Sequence, residues 1–401
     1  MILKNKGKLS KEILLNGFAL SLNRSFFVPA DEESAANLKK LKGDKNPNSV
    51  VFLDERLGID NIPFKATCGS VCAIAKEAIR SPSYKAAAQV LNERCHYSIS
   101  EAQVKRITDY VGDLIFQDDC RRAEEAKQRQ NDPVDNRKRR NDTLYVQFDG
   151  SYYLERKQDE VGSNWKECKI AVAFKDSDLI HWGGEKTEVR ERDIVGYIGN
   201  IDEFKYHLLA LAKRNGLDLC RNRVFITDGA KYILPLLKTL FPGCVYILDK
   251  FHAKENGAKY ALAVVRGKVK QQECIEKIYG FIDAGDPKGL LNYLEPYRNK
   301  KVPAGIVDFY EYVNRLQECM YYADYEAKGF LVGSGQIESC HRYTMQDRMK
   351  RPGQQWNRAN GQGILSLKSR YESDHWHEVE MLVKADYDRR RKHSYTDSTN
   401  E

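Results

Sequence analysis

Three acidic residues mark points where the sequence pattern changes. Asp149 comes directly after the β-rich run 144–148, and Asp228 comes directly after the apolar run 223–227. Glu338 lies in a predicted helix that follows a glycine-rich turn. Two carboxylates that lie close together repel each other unless a cation neutralises them, and oxygen ligands suit Mg²⁺ or Mn²⁺. Carboxylates in this arrangement would hold two metal ions and support phosphodiester cleavage.

Each of these signals is weak when it is taken alone. An Asp-Gly pair after a strand is most often an ordinary turn, and both Asp149-Gly150 and Asp228-Gly229 have that form. The two pairs together, with Glu338 in a later helix, favour metal-dependent phosphoryl chemistry over two unrelated turns.

The elements around the acids decide whether they can meet. Residues 143–252 predict the order β-β-β-α-β-α-β, with strands at 144–148, 151–154 and 168–174, a helix at 201–215, a strand at 223–227, a helix at 230–240 and a strand at 244–248. If the first and fourth strands are neighbours, Asp149 and Asp228 lie at one edge of the sheet. We therefore expect an α/β fold with a mixed sheet and helices on its faces.

The chain of 401 residues has room for two to four domains, and 42% hydrophobic residues can form a real core. The predicted division is an irregular segment 1–60, a helix-turn-helix region 61–118, a charged linker 119–142, a first part of the catalytic core 143–252, a helical insertion 253–330, C-terminal core helices with the glutamate 331–380, and a basic tail 381–401. No internal repeat is visible.

The region 61–118 has the pattern of two helices joined by a short turn. Ser83 begins an apolar pattern of helical spacing, and the pattern breaks at residues 96–99. Ser100 is followed three positions later by Gln103, which resembles a capping box. Helix, turn and capped helix form the outline of a DNA-binding helix-turn-helix, and an ordinary helical hairpin is the alternative.

Charge and hydropathy indicate the class of partner. The chain has 65 Lys and Arg against 57 Asp and Glu, a net charge of +8 and a pI of about 8.8, which suggests a polyanionic partner. The segment 119–142 is predicted to be a linker or a solvated helix, and its basic run 137–140 would follow phosphates or simply be solvated. The mean hydropathy of −0.62 and the lack of a long apolar run argue against a membrane protein. Asn16 and Gly17 interrupt the first apolar stretch, which argues against a secretory signal.

Other metal and cofactor patterns are weaker. The ten cysteines are spread singly, so neither a zinc cluster nor a disulfide framework is expected, and the compartment is predicted to be reducing cytosol. Cys68 and Cys72 have near-metal spacing but fit one helix better. His375 and His377 more often lie at a surface. Residues 183–187 lack the leading glycine of a P-loop, so no nucleotide cofactor is expected.

These residues carry a resemblance to a known group of enzymes. Asp149, Asp228 and Glu338 resemble the DDE triad of RNase H-like transposases. The segment 249–253 (Asp-Lys-Phe-His-Ala) resembles a signature between the second Asp and the Glu in several transposase superfamilies. The block 333–368 resembles bacterial insertion-sequence transposases of the Kra type, with the Lre type a close second. The stretch 53–59 is similar to the same families, so the resemblance covers about residues 50–380.

The resemblance implies a DDE-type DNA transposase, an enzyme of transposition and DNA recombination that cuts and joins DNA at the ends of an insertion sequence. It implies an RNase H-like core with a helical insertion and a preceding helix-turn-helix region. Asp149, Asp228 and Glu338 would hold two Mg²⁺ ions, with Mn²⁺ as a substitute. Asp249 would orient the site, and His252 would either bond a DNA phosphate or pack beneath the insertion. The implied partners are double-stranded DNA at transposon ends, target DNA and a second copy of the chain, in the nucleoid of a bacterial cytoplasm.

Basic residues near Glu338 are the expected DNA contacts. Candidates that would track phosphates are Arg342, Arg348, Lys350 and Arg351, and candidates in the helix-turn-helix are Ser100, Gln103, Lys105 and Arg106. Trp356 is a candidate for stacking on a base, although packing in the core is the favoured alternative. Two rival functions stay open at this point: a domesticated, inactive DNA-binding relative and an RNase H-fold nuclease.

Overall fold

The structure is a computed structural model that describes residues 1–42, 49–57, 62–156, 164–182 and 187–396. It divides into two compact units, the first formed by Met1–Gln117 with His375–Glu401 and the second by Asp118–Asp374. Two segments named above lie partly outside the described residues. They are residues 183–186 of the incomplete P-loop pattern and residues 58–59 of the stretch 53–59 that resembles the transposase families. No helix in the described ranges combines the length and apolar character that a bilayer span requires.

The first unit begins with an antiparallel hairpin. Its strands are β1 (Leu3–Leu15) and β2 (Phe18–Pro29), and the helices that follow are α1 (Glu32–Lys42), α2 (Phe52–Leu57), α3 (Cys68–Arg80), α4 (Tyr84–Cys95) and α5 (Glu101–Gln128), the last of which runs on into the second unit.

The hairpin and helices show that the prediction of an irregular segment at 1–60 is wrong. The tight turn Asn16-Gly17, with Gly17 at φ +95°, is the signal that connects two such strands. Much of β1 is exposed on both faces, so the alternation of apolar and polar residues that identifies a strand is missing there.

The helix-turn-helix outline is confirmed at the level of secondary structure. Ser83 caps α4 by accepting a hydrogen bond from the Ala86 amide, and His96 ends the helix in a left-handed conformation with φ 50°. The predicted capping box is present: the Gln103 amide donates to Ser100 Oγ at 3.3 Å, and the Ser100 amide donates to Gln103 Oε1 at 2.9 Å. The binding of DNA by this region stays a prediction.

The prediction of a charged linker at 119–142 is wrong for residues 119–128, where the alternative of a helix is correct. Residues 119–128 continue α5, a short 3-10 turn follows at Asn136–Lys138, and the next strand already begins at Arg140. The helix continues because its charges pair at helical spacing and its acids are buried against a cation. Arg121 bonds both Asp118 and Glu125, and Arg370 bonds Asp119 at 2.5 Å.

The second unit is built on a mixed sheet. Its first elements are β3 (Arg140–Leu154), β4 (Trp165–Lys175), β5 (Leu179–His181), β6 (Thr187–Val189), β7 (Asp193–Tyr197), α6 (Ile201–Arg214), β8 (Cys220–Thr227), α7 (Ile233–Leu240) and β9 (Val245–Leu248). The five-stranded sheet has the order β7-β4-β3-β8-β9, in which β3, β8 and β9 are parallel and β4 is antiparallel to both its neighbours. The predicted mixed α/β sheet, with its first and fourth strands adjacent, is confirmed.

The strand boundaries differ from those predicted. β3 does not end at Phe148, because β4 pairs with it continuously from Leu144 to Leu154, so Asp149-Gly150 forms no turn and Asp149 lies inside the strand. The runs 144–148 and 151–154 are therefore one strand, and the third strand of the sheet is β7 rather than the run 168–174.

Helices complete the second unit and end the chain. They are α8 (Lys250–Val264), α9 (Lys268–Asp283), α10 (Pro287–Leu294), α11 (Phe309–Leu316), α12 (Tyr322–Ala327), α13 (Gly335–Cys340), a π-helical turn (His341–Gln346), α14 (Asp347–Met349), α15 (Arg358–Glu372) and α16 (Trp376–Thr396). The helical character predicted for 253–330 and the helix predicted around Glu338 are both confirmed.

The basic tail predicted at 381–401 is wrong as far as Thr396, because α16 continues to that residue. Val379 and Val383 are completely buried in the first unit, and these apolar contacts hold the helix in place. The carboxylate of Asp386, which is 3% exposed, accepts hydrogen bonds from Tyr110 Oη at 2.5 Å and from Arg390 Nε at 2.6 Å.

Candidate active site

Two neighbouring parallel strands bring Asp149 and Asp228 together. β3 pairs with β8 in a register that places Gln147 opposite Ile226, and each aspartate lies two residues beyond its member of that pair. The two side chains therefore reach the same level of the sheet. The strand adjacency on which the predicted meeting of the two aspartates depends is present, and Asp149 lies at this level inside a strand.

The pKa of Asp149 is affected by the nearby Asp228. Burial, followed by the charge of Asp228, raises the pKa of the Asp149 carboxyl to about 6 from its ordinary 3.8. The Gly150 amide, which donates to Asp149 Oδ1 at 2.7 Å, and the charge of His252 lower this pKa and offset part of the effect. The pair thus carries like charges that repel at neutral pH.

The loop that carries Asp228 is clamped by α11. The main-chain oxygen of Asp228 accepts a hydrogen bond from Tyr312 Oη at 2.7 Å, and that of Gly229 accepts one from Arg315 at 2.9 Å. Gly229 has φ +79°, and a Cβ there would come within 2.7 Å of side-chain atoms of both Leu248 and Leu316. Only glycine fits this turn. Neither Tyr312 nor Arg315 is predicted from the sequence as a site residue, because a helix so far along the chain carries no local signal of the loop that it contacts.

The segment 333–350 runs along one face of β3. Gln147, Asp149 and Ser151 share this face, because side chains alternate along a strand. Gln147 accepts a hydrogen bond from the Ile337 amide at 3.1 Å and donates one to the Gly333 oxygen at 3.2 Å, while Ser151 Oγ accepts one from Lys350 Nζ at 2.9 Å. Polar residues at every second position of an otherwise apolar strand are the sequence signal that could have indicated this face.

His341 stands opposite the middle residue of that face. Its Nε2 lies 3.5 Å from Asp149 Oδ2, and its side chain is 6% exposed. Burial, followed by the charge of Lys350, lowers the pKa of His341 to about 4. The imidazole is therefore neutral at physiological pH. His341 is not among the site residues predicted from the sequence.

Glu338 lies one helical turn before His341, on α13, and its side chain is exposed. It shares a helix face with the residue that meets Asp149. Within the described ranges, no group of three or more His, Cys, Asp and Glu side chains is close enough to hold a metal ion. The role of Glu338 as the third acid therefore stays a prediction.

Asp249 and His252 form an ion pair near Asp149 and Asp228. Asp249 is 1% exposed and caps α8, accepting hydrogen bonds from the His252 amide at 2.6 Å, from His252 Nδ1 at 3.0 Å and from the Ser334 amide at 2.5 Å. Burial raises its pKa, but these hydrogen bonds outweigh burial and lower it overall. Asp249 thus holds the turn before α13 and orients His252.

His252 contributes a positive charge near the aspartates. The hydrogen bond to Asp249 raises the pKa of His252 to about 9, against the opposing effect of burial, and the charges of Asp228 and Asp149 raise it further. The ring is 31% exposed, so it is a protonated group that a phosphate could reach.

Two of the predicted DNA contacts are wrong. Arg348 is 2% exposed and Trp356 is 6% exposed, and the guanidinium lies 5.0 Å from the centre of the indole ring. The main chain of Trp356 bonds to Leu154 and Arg156, which extends the end of β3 and fixes the indole inside the unit. The favoured alternative of core packing is correct for Trp356, and Arg348 packs with it.

The other predicted DNA contacts lie nearer to solvent. Lys350 and Arg342 are exposed, and Arg351 pairs with Asp347 at 3.0 Å. In the first unit, Arg106 is exposed. The remaining candidates there make local bonds: Lys105 pairs with Asp109 at 2.5 Å, while Ser100 and Gln103 cap α5. The structure leaves the DNA-binding role of these residues as a prediction.

The weaker metal patterns gain no support. Cys68 and Cys72 lie on α3, and burial raises the pKa of the Cys72 thiol to about 12. The rings of His375 and His377 lie 6.0 Å apart, and no metal-binding group is present among the described residues. All ten cysteines lie in described ranges and are free thiols.

In comparisons with known proteins, the chain matches no protein-family model and no curated protein.

Proposed function

We propose that the chain is a DDE-type transposase that cleaves and transfers DNA strands at the ends of an insertion sequence. The observation that carries the proposal is the approach of Asp149 and Asp228 from neighbouring parallel strands, with a raised pKa on Asp149. Such a pair of carboxylates is costly to a fold and is retained where it does chemistry. The sheet order, with the first strand beside the fourth, supports an RNase H-like core.

The donor set fits a hard divalent cation. The carboxylates of Asp149 and Asp228 repel each other at neutral pH, and a cation would relieve that repulsion. Asp149, Asp228 and, from α13, Glu338 would hold two Mg²⁺ ions, with Mn²⁺ as a substitute. When bound, these ions would activate the attacking oxygen and stabilise the leaving oxygen of a phosphodiester.

The surrounding residues suit a DNA substrate. His252 places a protonated imidazole near the acids, and Lys350 and Arg342 present exposed cations on the segment that follows Glu338. These groups would bind phosphates and hold the backbone against the acids. The capped helices α4 and α5 are proposed to bind the element ends, and a homodimer would pair two ends in the bacterial nucleoid.

The proposal is tested with Asp228→Asn. This variant removes one carboxylate and keeps the shape of the side chain, so Mg²⁺-dependent cleavage of end-containing duplex DNA should be lost while the affinity in gel-shift titrations stays within about twofold. Equal loss of cleavage and binding would contradict a catalytic role for Asp228.

The same assay separates the rival functions. A domesticated DNA-binding relative would bind end sequences and cut none with any metal. A nuclease with the same core would cut duplexes without preference for the element ends. The capped helix pair in the first unit favours recognition of ends over such unselective cutting.

A further inference from the structure

His341 is a buried side chain whose polar atoms have no hydrogen-bond partner. The residue is 5% exposed, and among the described residues neither Nδ1 nor Nε2 has a hydrogen bond. Buried polar groups are nearly always satisfied, so an orphaned imidazole is unfavourable for the fold and points to another purpose.

A π-helical turn sets the direction of this side chain. The turn covers His341–Gln346 and continues α13 without a break. Such turns insert an extra residue into a helix, which rotates the side chains around it, and they are frequent at functional sites. Here the turn begins at the residue that faces β3.

The contacts on either side show that this face of β3 is closely fitted. Gln147 and Ser151 each accept a hydrogen bond from the segment 333–350, at 3.1 Å and 2.9 Å. Asp149 lies between them and faces His341 Nε2 at 3.5 Å from Oδ2, just beyond hydrogen-bond distance. A small rotation of the Asp149 carboxylate would bring Oδ2 within hydrogen-bond distance of His341 Nε2. Gln147, Asp149 and Ser151 would then all be bonded to the segment 333–350.

We infer that His341 is a positioning residue for Asp149: its Nε2–H donates to Oδ2 and fixes the carboxylate in the orientation that binds a divalent cation. An imidazole with a proton on Nε2 can donate this bond, whether or not Nδ1 is also protonated. Partners of metal-binding carboxylates act in this way, and their loss weakens metal affinity about 10-fold to 100-fold. The inference rests on the proposed function of Asp149.

The test is a Mn²⁺ titration of the full chain, followed by the electron paramagnetic resonance signal of the free ion. His341→Gln retains an N–H at about the reach of Nε2, and His341→Asn carries the same amide one methylene shorter. We expect the Gln variant to keep Mn²⁺ affinity within about threefold and the Asn variant to lose about 10-fold or more. Thermal unfolding of both variants checks that each is folded.

A purely structural role predicts a different result. Equal Mn²⁺ affinity of the Asn and Gln variants, with affinity still lost in Asp228→Asn, would overturn the inference and leave the proposed function intact. Absence of Mn²⁺ binding in the wild type, or binding that Asp228→Asn does not change, would overturn both. A second check is independent of metal: the effects of His341→Asn and Asp149→Asn on the urea unfolding midpoint should be non-additive, and strict additivity would count against contact between them.

Discussion

At the scale of single residues, the negative charge of Asp149 is unfavourable for the folded state. Its carboxyl titrates in the folded protein with a pKa of about 6, above the ordinary 3.8, because burial and Asp228 disfavour the charge. A raised acid pKa means that the folded state binds protons more tightly than the unfolded state. Stability is therefore lost as the pH rises from about 4 to about 6, and the loss is complete above that window.

Replacement of Asp149 by asparagine should stabilise the fold at neutral pH. The side chain is 36% exposed, so solvent screening reduces the full linkage value and we expect a gain of about 1 kcal/mol at pH 7.5. The gain should shrink at pH 4.5, where the wild-type carboxyl is largely protonated. Urea unfolding at both pH values measures it.

The control for this variant is Asp388→Asn, which changes an exposed acid on α16. It should leave the unfolding midpoint nearly unchanged. If Asp149→Asn were neutral or destabilising at pH 7.5, the repulsion between the two aspartates would not exist in solution.

Replacement of Arg348 tests whether its side chain packs in the core or contacts DNA. Because its guanidinium is buried against Trp356, Arg348→Ala should destabilise the second unit by on the order of 2 kcal/mol. The measurement is thermal unfolding without DNA. A variant with wild-type stability would show that the buried stacking is absent in solution.

The matched substitution Arg342→Ala changes an exposed cation six residues before Arg348. It should leave thermal stability unchanged, weaken DNA binding and reduce the slope of log affinity against log salt by about 1. An unchanged slope would remove Arg342 from the phosphate contacts.

At the scale of elements, some patterns could be predicted and others could not. Asp149-Gly150 and Asp228-Gly229 look alike in the sequence, yet only the second forms a turn. The difference is not local: β4 pairs with β3 past Asp149, whereas α11 clamps the loop at Asp228 and Gly229. A motif of two residues holds no information on contacts with elements that are distant in the sequence.

The same limit explains the errors at the ends of the chain. The hairpin β1–β2 has a strand exposed on both faces, and α16 has a mostly charged surface, so neither shows a strong apolar period. In contrast, the capping box at Ser100 and Gln103 could be predicted, because its bonds are local. Strands β8 and β9 could also be predicted, because their runs are short, apolar and separated by a helix.

The burial of α16 gives a prediction of its own. Val383 is completely buried, whereas Met381, two residues earlier on the same helix, is 59% exposed. Val383→Ala should destabilise the first unit by about 2 kcal/mol, and Met381→Ala should change stability little. Urea unfolding followed by circular dichroism compares them, and equal effects would show that α16 does not pack as described.

At the scale of the whole molecule, the two units have separate proposed tasks. The first contains the capped helix pair, and the second contains the mixed sheet with the acids. The net charge of +8 suits a polyanionic partner for the chain as a whole. The proposed transposase needs both tasks, because cleavage must be confined to element ends.

The most direct measurement is a strand-cleavage assay on duplex DNA that carries the sequences flanking this gene. It compares Mg²⁺ with EDTA, and wild type with Glu338→Gln, whose side chain keeps its shape and loses its charge. The account predicts nicking at a defined end that requires Mg²⁺ and is lost in the variant. Specific binding without cleavage under Mg²⁺ or Mn²⁺, or cleavage that Glu338→Gln leaves unchanged, would contradict it.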